Sequence, residues 1–77
     1  MKFKHTVPPG LGAAHYRNGA LFWQAEAKGY AANARKHMVA LEWYDFQPHW
    51  LNARHWQYKA AEAAAKARAH LEALLNA

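Results

Sequence analysis

Seventy-seven residues without a cysteine make one small domain that lacks both disulfides and thiolate metal ligands. A chain this short buries only roughly 60% of the surface its unfolded form exposes, so oligomerisation is the remaining aid to stability. Ten Lys and Arg against five Asp and Glu give a formal charge of +5. That balance permits nucleic acid, anionic lipid or acidic protein partners and excludes a DNA mimic, which needs excess negative charge.

Alanine supplies 19 positions, serine and isoleucine are absent, and valine occurs twice. Alanine is the best helix former and β-branched residues favour strands, so the expected class is all-α. No apolar run approaches the ~20 residues needed to cross a bilayer, and no secretory apolar segment opens the chain. A soluble, cytoplasmic protein is the expectation.

Residues 1–12 read as an extended basic arm. Met1, Phe3, His5 and Val7 alternate with Lys2, Lys4 and Thr6, a period-two pattern that suits one short added strand. Pro8-Pro9-Gly10 and Gly12 then break regular structure. The arm is either a mobile tail or a segment that docks on a partner.

The first helix is expected from about Ala13 to Tyr44, with Asn18-Gly19 as an alternative start because that dipeptide marks turns. Tyr16, Trp23, Tyr30, His37 and Tyr44 stand seven residues apart, and Ala20, Ala27, Ala34 and Leu41 follow the first four at a spacing of four. This is a heptad seam that alternates large rings with small residues, the mark of one long helix packed lengthwise on another. Pro48 pushes Gln47 towards extended geometry, so residues 45–48 are the connection, and proline suits the first turn of a second helix over about 48–75. The second helix presents an inner stripe of Trp50, Ala53, Gln57, Ala60, Ala64, Ala67, Leu71 and Leu74. Its opposite face carries Asn52, His55, Lys59, Glu62 and Lys66, with Glu62 placed to pair with Lys66. So short a connection makes the helices antiparallel, a hairpin about 45 Å long.

A second apolar line runs along the first helix through Phe22, Ala25, Gly29, Ala32, Val39 and Trp43, interrupted by Lys36. One hairpin partner cannot cover both lines. Phe22, Ala25, Gly29, Ala32 and Val39 are therefore the candidate self-association residues, and the economical product is a homodimer forming a four-helix bundle. The bland reading makes Gly29 a tolerated surface glycine and Phe22 and Trp43 scattered exposed apolars. The line equally admits a hetero-complex.

Chemistry is sparsely represented. His49 and His55 are six residues apart and His37 and His70 stand alone, so no helical metal-ligand spacing exists, and neither a metal nor a cofactor is expected. Serine and cysteine nucleophiles are missing and no glycine-rich phosphate loop precedes a helix, so an enzyme is not expected. Around the turn, Trp43, Tyr44, Phe46, Trp50 and Trp56 gather beside Arg54, His55 and Lys59. Tyr44 and Trp50 fall on the inner stripes and cap the hairpin. Trp43, Phe46, Trp56, Arg54 and Lys59 are the candidate partner-binding residues, being of types enriched at binding hot spots. The run Arg54-His55-Trp56-Gln57-Tyr58-Lys59 also suits base stacking and phosphate contact. Against nucleic acid, the basic residues are spread around both helices and no helix-turn-helix spacing occurs. Against a membrane surface, the stripes are alanine-rich and weak for insertion. In size and composition the chain resembles the small accessory proteins of bacteriophages and mobile elements. The expected function is that of a small non-enzymatic helical interaction protein, which docks on a host or partner protein and modulates or inhibits it. The alternative is a small basic nucleic-acid-binding protein.

Overall fold

The computed structural model describes the backbone of residues 5–44 and 47–76 and the side chains of residues 5–39 and 51–76. Two helices, α1 (Ala13–Tyr44) and α2 (Gln47–Leu75), pack against each other as a helical hairpin. Its extents of 50 × 19 × 13 Å are those of a slab two helices wide and one helix thick. The pairs Gly19–His70, Trp23–Lys66 and Tyr30–Lys59 meet across the interface, one step back in α2 for each step forward in α1, which is antiparallel register.

Glycine sets the start of α1. Gly10 and Gly12 have φ of 82° and 90°, the left-handed region that a side chain disfavours. The Gly12 carbonyl then accepts the first helical bond, from the Tyr16 amide at 3.3 Å. Tyr16 is 3% exposed, and its hydroxyl donates to the Pro8 carbonyl at 2.6 Å while accepting from the Leu11 amide at 3.2 Å. One buried ring thus ties the stretch Pro8–Gly12 to the hairpin. Val7, Pro9, Gly10, Gly12 and Tyr16 share a recess with Ala73 and Asn76, so this segment covers the open end of the hairpin beside the end of α2. Residues 5–12 form no strand in the structure, and Pro8–Gly12 is held against the hairpin through Tyr16; the first four residues of the alternating pattern lie outside the described residues.

The buried core is Tyr16, Ala20 and Ala34 from α1 and Ala53, Ala63, Ala65 and Ala67 from α2. The α1 side follows the heptad seam; Leu41 and Tyr44 at the end of that seam, and Trp50 at the start of the α2 stripe, lie outside the described side chains. The α2 side departs from the expected stripe. Gln57 and Leu71 are exposed, Ala64 is half-buried, and Ala63 is buried in their place. Alanine has too little bulk to fix the rotation of a helix, so the larger groups fix it. Trp56, Lys59, Lys66 and His70 pack on Tyr30, Trp23 and Gly19, turning α2 towards them. Glu62 consequently pairs with Lys59 (3.4 Å) and not with Lys66, whose ammonium lies 4.3 Å from the centre of the Trp23 ring.

Asn18-Gly19 sits inside α1 and does not start it. The His70 ring lies directly over Gly19, and a Cβ there would come within 2.6 Å of Nε2 and 2.9 Å of Cγ. His70 is pinned by a 2.7 Å bond from Nδ1 to the Lys66 carbonyl; since a carbonyl only accepts, Nδ1 carries the proton. Gly29, by contrast, faces open space.

The two helical glycines should therefore respond oppositely to alanine. Gly29→Ala should stabilise by about 1 kcal/mol, the ordinary helix-propensity gain. Gly19→Ala should destabilise because it evicts His70, and adding His70→Ala should restore much of the loss in a double-mutant cycle read by denaturant unfolding. Tyr16→Phe should cost about 1–2 kcal/mol through its two lost hydrogen bonds and speed amide exchange at Leu11.

Candidate interaction surfaces

The hairpin has two surfaces rich in chemistry-bearing side chains, and they behave differently. The first is an edge where α1 rings meet α2 cations. Trp56 stacks on Tyr30 with ring centres 5.5 Å apart and planes 22° from parallel, while His55 meets the same tryptophan edge-on at 5.2 Å. Lys59 lies 5.8 Å from the Tyr30 ring centre and pairs with Glu62, and Lys66 covers Trp23. The Glu26 carboxylate accepts the Tyr30 hydroxyl's hydrogen bond and, with partial desolvation, holds that phenol above its usual ionisation range. Rings, ammoniums and carboxylates on this edge are engaged with one another, so it seals the two helices together.

The second surface is the outer face of α1. Phe22, Ala25, Gly29, Ala32, Lys36 and Val39 step by three and four along it, and all are exposed, Phe22 at 55% and Val39 at 51%. At about 100° per residue this line lies opposite the buried Tyr16–Ala20–Ala34 seam, where α2 cannot reach it. Phe22 is held in place by an edge-on contact with Trp23, ring centres 5.0 Å apart. Between Phe22 and Val39 the small residues leave a shallow trough, and a recess at its far end is lined by Ala32, Arg35, Lys36 and Val39. Leu21 and Lys28 are exposed at its margin.

The candidate residues separate accordingly. Phe22, Ala25, Gly29, Ala32 and Val39 are brought together on one uncovered face. Of the five candidates near the turn, Trp56 and Lys59 belong to the sealed edge and Arg54 is exposed on α2. Trp43 and Phe46 lie outside the described side chains. Sequence reasoning missed the His70–Gly19 contact, and with it His15, whose ring centre lies 6.2 Å from that of His70. A glycine inside a strong helical pattern was the available signal. Among the described residues, no three His, Asp or Glu are grouped to hold a metal ion, and no helix is long and apolar enough to cross a membrane. Compared with protein-family models, curated proteins and solved structures, the chain finds no match in any of the three.

Because Tyr30 loses its proton less readily when folded, the stability linked to its bond with Glu26 is present below the usual tyrosine range near 10 and is lost as pH rises through the raised value. Ultraviolet titration of tyrosinate should show a late-ionising component that Tyr30→Phe removes and that Glu26→Gln moves back towards the ordinary range.

Proposed function

We propose that this chain is a non-enzymatic helical docking module that presents the outer face of α1 to another protein and modulates that protein by covering it. The observation that supports this reading is the uncovered line from Phe22 to Val39, set opposite the seam that holds the hairpin. A two-helix slab has no second layer to bury such a line, so a partner must supply it. Large side chains at its ends and small ones between them give a shape that accepts a helical ridge. Docking on this face leaves the fold untouched, because the hairpin is closed by the opposite side of α1.

The contrasting reading is nucleic-acid binding through the dispersed basic residues. Two of those cations, Lys59 and Lys66, lie against rings of their own chain, which lowers what they offer to phosphate. Light scattering separates the two readings. The mass should be unchanged by short duplex or single-stranded DNA at about 0.15 M salt. A DNA-dependent rise in mass that collapses with added salt would contradict docking and favour nucleic acid. Phe22→Asp combined with Val39→Asp should leave helicity and melting nearly unchanged while abolishing association through the face.

A further inference from the structure

We propose that the occupant of the outer α1 face is an acidic amphipathic helix of another protein and not a second copy of this chain; the proposal rests on the docking reading and names the partner's chemistry. Two observations carry it, one of area and one of charge.

The chain exposes 5791 Å² for a mass of 8.8 kDa. A compact monomer of that mass exposes roughly 4,800 Å². The surplus, roughly 1,000 Å², is comparable to the ~800 Å² that each partner buries in a standard interface. An elongated hairpin of this kind has surface to spare for one standard interface, and the outer face of α1 carries an uncovered apolar line on which to build it.

The charge along one flank of that line has one sign. Arg17, Lys28 and Arg35 are exposed along one flank and Lys36 stands in the line itself. Arg68 of α2 lines the adjoining groove together with Lys28. Glu26, the acid of α1 among the described residues, lies on the opposite flank and turns towards Tyr30. Self-pairing meets this charge in either direction. Two parallel copies of α1 would set Lys36 against Lys36 in the seam. Two antiparallel copies would layer Phe22 with Val39 and Gly29 with Ala32, and would then press Lys28 of each against Arg35 of the other. A partner helix with an apolar ridge and carboxylates along one flank satisfies both the trough and the cations. A bilayer suits the face less, since Ala25, Gly29 and Ala32 offer little apolar bulk to insert.

The test uses a synthetic helix-forming peptide of about 25 residues, with a leucine and alanine seam flanked by glutamates. Its control has the same seam flanked by lysines. Fluorescence anisotropy against the full chain should show binding of the acidic peptide, weakening about tenfold or more as salt rises from about 0.05 to about 0.5 M, and none of the control. Lys28→Glu with Arg35→Glu should reverse the preference. Gly29→Leu, at a position open to solvent, should block binding with helicity retained. Equal binding of both peptides overturns the acidic assignment and leaves the docking reading standing, and failure of both to bind overturns the proposal. A mass that doubles with concentration, and reverts in Gly29→Leu, overturns it in favour of a second copy. Adsorption to phosphatidylglycerol vesicles in place of either peptide overturns the proposal and the docking reading together.

Discussion

Everything in this molecule depends on how two alanine-lined helices approach each other. Alanine buries little apolar area, and at roughly 25 cal/mol per Å² its contribution per residue is small. What it supplies is proximity, which lets the few large groups of each helix reach the backbone and rings of the other. His70 reaches over Gly19, Lys66 over Trp23, and Trp56 over Tyr30. Those contacts fix the rotation of α2, and Tyr16 ties the segment before α1 to the same interface.

The consequence is an asymmetric distribution of stability and of surface. One edge of the hairpin is closed by rings and charges engaged with each other. The outer face of α1 takes no part in the hairpin, and its side chains can be chosen for a partner. That separation gives the docking reading its physical basis. On that reading Phe22 and Val39 serve association, whereas Gly19 and Tyr16 hold the hairpin together.

The helical hairpin was legible in the sequence because Tyr16, Trp23 and Tyr30 repeat at a heptad spacing that only a lengthwise helix pair uses. The second apolar line was legible for the same reason, since Phe22, Gly29 and Val39 keep their own three-and-four steps. The inner face of α2 was not, because alanines encircle that helix and a periodicity of small residues has no preferred direction. Gln57 and Leu71 were therefore misplaced by about one residue, and the stacking of Trp56 on Tyr30 went unread. Gly19 stood out as a glycine inside a strong helical pattern, but what it meets was unreadable. Its meaning lies in His70, far along the chain, and no local pattern joins the two.

If the α1 face opposite the seam is the docking surface and carboxylates recognise it, amide chemical-shift mapping of the isotope-labelled chain against the glutamate-flanked peptide will locate the contact. Shifts concentrated on Phe22, Gly29, Ala32 and Lys36, with Ala20 and Ala63 unmoved, are the expected result. Shifts centred on Trp23, Tyr30 and Trp56, or on Pro8–Gly12, would instead place the binding surface at the edge or the capped end of the hairpin and overturn docking on α1.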